Sequence, residues 1–140
     1  MKQVLIDTDV ILDFFLDRLP FSDDATRFIA LCEIGKIQGY ISAVILSNVY
    51  YILRKNASHE KVITHLSKLI SILEIVNIDK NTVYTALTSD FKDFEDALQN
   101  FAAVNSENIK VILTRNIKDF RNSILAVMTP EDHLKTFDIN

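Results

Sequence analysis

Short apolar runs alternate along this chain with longer stretches whose apolar residues recur at helical spacing, and that alternation leaves few folds open. Val4 to Ile6, "GYIS", "EIVNI", "KVILT" and the start of "LAVMTPEDHLKTF" read as strands. Between them lie helical patterns. "SDDATRFIALCEIGK" has Ser22 as its expected N-cap, Asp23 and Asp24 in the first turn, and an end near Gly35. "AVILSNVYYILRKN" reads as a largely buried helix, and "SHEKVITHLSKLISIL" repeats the cap-then-helix signature from Ser58. "KNTVYTALTS" and "DFEDALQNFAAVNS" follow, the latter with Phe94, Ala97, Leu98, Phe101 and Ala102 on one inward face. The last helix has Thr129 as N-cap and Pro130 at its first position. Strands alternating with more numerous helices predict a three-layer α/β/α domain around a central parallel sheet of about four to five strands. At 140 residues the chain is the size of one ordinary domain, and residues 1–140 show no linker, repeat or low-complexity tract.

Composition removes several classes of function. Only Gly35 and Gly39 are glycines, and neither sits in a phosphate-cradling pattern, so dinucleotide-binding and P-loop readings are excluded. The one cysteine, Cys32, rules out a disulfide framework or a thiolate metal site. His59, His65 and His133 are too dispersed to ligate together and are read as surface or rim residues. Asp7, Asp9 and Asp13 break up what would be the apolar part of a signal peptide, and no run reaches the ~18 apolar residues of a membrane span, so a cytoplasmic protein is expected. The net charge of −4 does not advertise a nucleic-acid binder; a local basic patch or a bound cation would have to do that work. A mean hydropathy of +0.16 with 49% hydrophobic residues points to surface covered by a partner, either a second copy or another protein.

Acids and amides mark the element ends. Asp7 closes the first strand, Asn48 lies in the third helix, Asp93 and Asp96 open "DFEDAL", and Asp119 follows the "KVILT" strand. In a parallel sheet both strand-end acids lie at the C-terminal edge, where open α/β sheets keep their ligands. The helix of Asp96 runs back antiparallel to the strands, which brings its N-terminus to that edge too. Taken singly, each acid has an ordinary reading. Asp7 or Asp9 can cap the next helix, Asp93 or Asp96 can be a first-turn charge, and Asp119 can sit in a solvated turn. Taken together, carboxylates a few Å apart repel, and a hard divalent cation, one or two Mg²⁺ or Mn²⁺ ions, relieves the conflict. Such a site polarises a phosphodiester and activates water. Thr8, Thr114 and Asn116 are the short polar groups expected to orient it. Arg115, Lys92, Arg54 and Lys55 are candidate phosphate contacts; Tyr50 and Tyr51 read as core and rim.

In order along the chain, "VLIDTDVIL", "ISAVILSNVYYILRK", "DFEDALQNFAA", "VILTRNIKDF" and "VMTPEDHL" resemble the landmarks of PIN domains, and the resemblance covers essentially the whole sequence. It implies a small α/β domain and a Mg²⁺- or Mn²⁺-dependent ribonuclease, similar to the single-domain bacterial VapC-type toxins that pair with an antitoxin. It carries the metal-binding and catalytic acids to Asp7, Asp96 and Asp119, with Asp93 assisting, Asn116 as polar companion and Asp9 supporting. One departure stands out: the third helix of active members usually supplies a glutamate, and this chain has Asn48 there. Glu33 is a poor substitute, being an ordinary solvated acid of an amphipathic helix.

Two other readings follow from the residues. Asn48 favours a catalytically weakened PIN-like module that binds RNA or a partner protein. "DTDVIL" superficially fits a haloacid dehalogenase-like phosphatase, with Asp7 as nucleophile and Asp9 as acid and base, although no later Gly-Asp metal motif appears. The leading expectation is an endoribonuclease whose activated water leaves 5′-phosphate and 3′-hydroxyl ends, acting on RNA without any membrane association, as a homodimer, an antitoxin partner, or both.

Overall fold

The computed structural model describes residues 2–138. Its order is β1 (Lys2–Ile6), α1 (Thr8–Phe15), α2 (Ser22–Glu33), β2 (Ile37–Ser42), α3 (Ala43–Leu53), α4 (His59–Ile72), β3 (Glu74–Val76), α5 (Lys80–Leu87), α6 (Phe94–Asn105), β4 (Val111–Leu113), a 3₁₀ turn (Ile117–Phe120), β5 (Ala126–Met128) and α7 (Pro130–Asp138). The five strands form one sheet in the order β3-β2-β1-β4-β5, and every pairing is parallel. This is the three-layer α/β/α arrangement expected from the alternation.

Alternation along β1 shows how the layers divide. Val4 and Ile6 point into a core built from α1, α2, α3 and α4, with Val10, Phe28, Ile45 and Leu66 among its members. Leu5 points the opposite way and packs with Ala102, Ala103, Ile109, Ile112 and Phe120 beneath α6. All three β1 residues are fully buried, which is why the strand reads as an unbroken apolar run. Gly39 of β2 belongs to the same packing: a Cβ there would come within 2.7 Å of Leu73 Cδ2 and 3.0 Å of Cys32 Sγ.

Strand order determines where the site lies. The chain winds outward from β1 through β2 to β3, then crosses back to lay β4 on the other side of β1. At the C-terminal ends of β1 and β4 the connections therefore diverge, leaving a crevice at the switch point. Asp7 N–H extends the β1–β4 ladder by donating to the Leu113 carbonyl at 2.9 Å, so Asp7 stands at the lip of that crevice.

Two local expectations change. Ser22 is the first helical residue of α2 and caps nothing. The N–H groups of Phe21 and Ser22 both donate to the Arg18 carbonyl, so a preceding turn does the cap's work, and the Ser22 side chain is buried by packing. His133 is a core residue: 1% exposed, it packs edge-on against Phe28 at 5.2 Å and beside Phe137 at 5.8 Å where α7 meets α2. Burial, helped by the charge of Lys2, pushes it down to about 4, so it is neutral at neutral pH. The Ser58 and Thr129 caps fall where the sequence puts them, accepting from Lys61 and Asp132 N–H, whereas Asp93, expected as a first-turn charge, is itself the cap of α6 and accepts from Asp96 N–H.

Candidate metal centre

Asp7 takes up its ordinary reading as a helix cap and still stands at the edge of the crevice. It caps α1 by accepting the Thr8 N–H on Oδ1 at 2.9 Å, and its Oδ2 accepts the Thr114 hydroxyl at 2.9 Å. The carboxylate is 9% exposed and pushed up to about 6, first by burial and then by the neighbouring Asp9 charge, against the two hydrogen bonds. Thr114, fully buried at the end of β4, has one hydroxyl proton to give. Its 2.9 Å contact with Asp7 is far better than the 3.4 Å one with Asp9 Oδ2, so Asp7 receives it.

Asp9 has a different role. Its Oδ2 accepts the Arg115 N–H at 3.1 Å and the Asn116 side-chain amide at 3.1 Å, which fastens the loop after β4 to α1. The Asn116 carbonyl then accepts Asp119 N–H at 3.0 Å and opens the 3₁₀ turn. Phe120, 1% exposed, anchors that turn in the core. Thr8, Asp9, Thr114 and Asn116 thus orient the loop and the Asp7 carboxylate.

Asp93 caps α6, taking the Asp96 N–H on Oδ1 at 3.0 Å, and this sets the helix start at the sheet edge. Asp93, Asp96 and Asp119 line a cleft of about 210 Å³. Asp96 is half-buried and pushed up to about 7, first by burial and then by the charges of Asp7, Asp93, Asp119 and Glu95. The acids that the sequence placed at separate element ends therefore feel one another here.

Glu95 is the carboxylate that the sequence reasoning passed over. Its Oε1 accepts the Asn48 amide at 2.6 Å, and its charge bears on both Asp7 and Asp96. Burial and the Asp93 charge raise it, and the Asn48 hydrogen bond lowers it. Its adjacency to Asp96 in "DFEDAL" was the available signal.

The basic residues sort differently from expectation. Lys92 lines the cleft, together with Lys118 and Arg121, which the sequence reading did not single out. Arg115 is committed elsewhere: its Nε and Nη2 grip the buried Asp13 carboxylate at 2.6 and 3.0 Å, and its guanidinium stacks 4.0 Å from the Phe21 ring. Arg54 and Lys55 are far from the cleft, because α3 leaves the C-terminal sheet edge at Ala43 and its 11 residues rise about 16 Å to the opposite edge. There Arg54 donates to the Ala57 carbonyl. Glu33, exposed at the end of α2, lies next to the start of β2 and so on that opposite edge as well.

These donors suit a hard cation. Asp7, Asp93, Glu95, Asp96 and Asp119 have no salt-bridge partner among the described residues, so no direct ion pair relieves the repulsion that bears on Asp7 and Asp96. Among those residues no three His, Cys, Asp or Glu side chains already converge on a single point. The cluster is an open lining of oxygen donors, the chemistry that Mg²⁺ or Mn²⁺ prefers while retaining water.

The PIN domain family model matches residues 3–118. The chain belongs to the PIN domain family. Among curated proteins it is similar to ribonuclease VapC1 of Aquifex aeolicus (strain VF5), 29% identical over 136 residues that cover 94% of this chain and 92% of that protein. Among solved structures it is similar to a toxin–antitoxin complex from Klebsiella pneumoniae, with a TM-score of 0.66, 27% identity, and coverage of 91% of this chain and 97% of that one. VapBC2 from Rickettsia felis, solved with a promoter DNA fragment, shares the fold at a TM-score of 0.65 and 18% identity over 90% of this PIN domain and 96% of its own chain. No helix among the described residues is long and apolar enough to cross a membrane.

Proposed function

We propose that this PIN domain is a divalent-metal-dependent endoribonuclease, the toxin of a toxin–antitoxin pair. The observation that carries the reading is the set of carboxylates without salt-bridge partners among the described residues, Asp7, Asp96 and Asp119 assisted by Asp93, beside the cleft's lysines and arginine. The resemblance to ribonuclease VapC1 supports the substrate class, and the toxin–antitoxin complex from Klebsiella pneumoniae supports the partner.

Asp7, Asp96 and Asp119 would hold the ion. Bound there, one or two Mg²⁺ or Mn²⁺ ions would polarise a phosphodiester and ease deprotonation of the attacking water. The protein's own groups do the rest. Thr8 N–H and the Thr114 hydroxyl hold both Asp7 oxygens in a fixed orientation. Lys92, Lys118 and Arg121, on the cleft wall with Asp96 and Asp119, hold the RNA phosphates and offset the acidic total. Attack by water leaves a 5′-phosphate on one product and a 3′-hydroxyl on the other. Exposed apolar side chains such as Leu19, 80% exposed, and Ile124, 83% exposed, offer surface to an antitoxin or to a second copy in a homodimer. A cytoplasmic location accords with this role.

The phosphatase reading loses its acid–base residue in the geometry, since Asp9 Oδ2 is taken up by loop donors and Oδ1 is buried without a partner. Asn48 favours a module that binds without cutting, and RNA binding that is equal in Mg²⁺ and EDTA, with no cleavage, would establish that reading.

The direct test is calorimetric titration of the purified protein with Mn²⁺, beside D7N and D96N, followed by cleavage of a mixed RNA substrate with end-group analysis. Wild type should bind and cut, and both variants should lose the two properties together. A wild type that binds no Mn²⁺, or products ending in 2′,3′-cyclic phosphate, would overturn the mechanism.

A further inference from the structure

The helices α3 and α6 cover opposite faces of the sheet, yet one hydrogen bond joins them over its C-terminal edge, from Asn48 Nδ2 to Glu95 Oε1 at 2.6 Å. That contact holds Glu95 in an unfavourable place. The carboxylate is half-buried, feels Asp93, and adds its own charge to Asp7 and Asp96. No cationic side chain among the described residues pairs with it. A glutamate at the second position of a helix can ordinarily swing into water, and repulsion from three neighbouring acids would drive it there. Instead the Asn48 amide keeps it inward through one oxygen, and Oε2 accepts no hydrogen bond among the described residues.

What lies beneath supports the same conclusion. Gln99, one helical turn along on the same side of α6, is 1% exposed, and neither of its amide atoms has a partner. Asn100, one turn below Asp96, is 2% exposed with an unpartnered Oδ1. Burying such groups without partners costs free energy unless water or a ligand shell reaches them. The Glu95–Asp96 face of α6 thus stays polar as far as Asn100, before Ala102 and Ala103 enter the core with Leu5.

We propose that Glu95 is a further metal-binding carboxylate, beside Asp96 at the cleft, and that Asn48 is its positioning residue. The inference rests on reading Asp7, Asp96 and Asp119 as a divalent-cation site. On this view the neutral amide in α3 is not a lost charge. Charge and amide are distributed across one hydrogen bond, with the carboxylate on α6.

The test exchanges them. Mn²⁺ affinity is measured by calorimetry for wild type, E95Q, N48A, D96N and the exchange variant N48E/E95Q, with thermal melting in EDTA as the folding control. E95Q preserves shape and can still accept from Asn48, so it should melt no lower than wild type, yet bind Mn²⁺ at least about tenfold more weakly. N48A should weaken binding by a smaller factor with the carboxylate intact, and N48E/E95Q should recover most of the affinity lost in E95Q. If E95Q binds as wild type while D96N does not, Glu95 has no part in the site and the metal-centre reading stands without it. If D96N also binds as wild type, the metal-centre reading fails first, and this inference fails with it.

Discussion

Replacing Asp96 by asparagine should make the metal-free protein more stable while removing its response to metal. Asp96 is pushed up to about 7 from an ordinary 3.8, by burial and by four neighbouring acids. At face value that corresponds to about 4 kcal/mol of repulsion and desolvation above pH 7. Because the side chain is only half-buried, solvent screening reduces this to roughly 1–2 kcal/mol. Asparagine also forfeits a favourable charge in the first turn of α6, about 0.5 kcal/mol, which leaves a net gain of about 1 kcal/mol. For a domain of this size that is about 3–5 °C in Tm. The sign follows from linkage: a carboxyl whose folded pKa is raised costs stability in full above about 7, and the cost disappears as pH falls towards 3.8, where the unfolded chain is protonated too. D96N should therefore exceed wild type by that margin at pH 8 in EDTA and match it near pH 4. Added Mn²⁺ at pH 7.5 should raise the Tm of wild type alone. Thermal melts at the two pH values, with and without Mn²⁺, measure all of this. A D96N protein no more stable than wild type at pH 8, or a gain that persists unchanged at pH 4, would show that the cleft acids do not repel one another as argued.

Three further outcomes follow from other parts of the molecule. R115A strips the bidentate partner from Asp13, which is 1% exposed, and leaves Arg18 at 3.8 Å; denaturant unfolding should show a loss of about 2–4 kcal/mol, only partly recovered in R115K because an ammonium cannot fork. His133 titrates against the fold: the unfolded chain protonates near 6.5 and the folded one near 4, so wild type loses stability through that window, by up to about 3 kcal/mol, and H133F should gain on it progressively as pH falls. A wild type to H133F difference that is flat across pH 4–7 would show that His133 does not titrate this way. K118A and R121A should raise KM for RNA several-fold and leave the melting temperature unchanged, since both side chains line the cleft wall without a salt bridge to any described residue.

The layers of the fold were legible because they depend on local pattern. Val4 to Ile6 announces a doubly buried strand, and the Ser58 and Thr129 caps each depend only on residues three positions apart. That Asp7, Asp96 and Asp119 share one sheet edge was legible for a topological reason: parallel strands and returning helices put those element ends there whatever the detailed packing. Side-chain partnership over long separations was not. Arg115 looked free because its partner Asp13 lies 102 positions away, while Arg54 and Lys55 looked near only until α3 was given its length and direction. His133 looked like a rim residue because Phe28, the ring that it meets edge-on, comes from α2 near the other end of the chain.

Asn48 and Glu95 show the same gap in the part of the molecule where it matters most. Read alone, an asparagine in α3 is a missing charge and a glutamate in α6 is an ordinary first-turn acid. Only the 47 positions closed by their hydrogen bond turn the two into one unit. A carboxylate's value in a metal site depends on where its oxygens stand, and helix identity is irrelevant to the ion. An acid can therefore move from α3 to α6 without leaving the cleft, provided that something holds it against the repulsion of Asp7, Asp93 and Asp96. An amide suits that role because it donates to the carboxylate without competing for the cation, whereas a lysine at the same position would compete by neutralising the acid outright. The exchange variant N48E/E95Q asks whether the cleft counts charges or reads the helix that carries them.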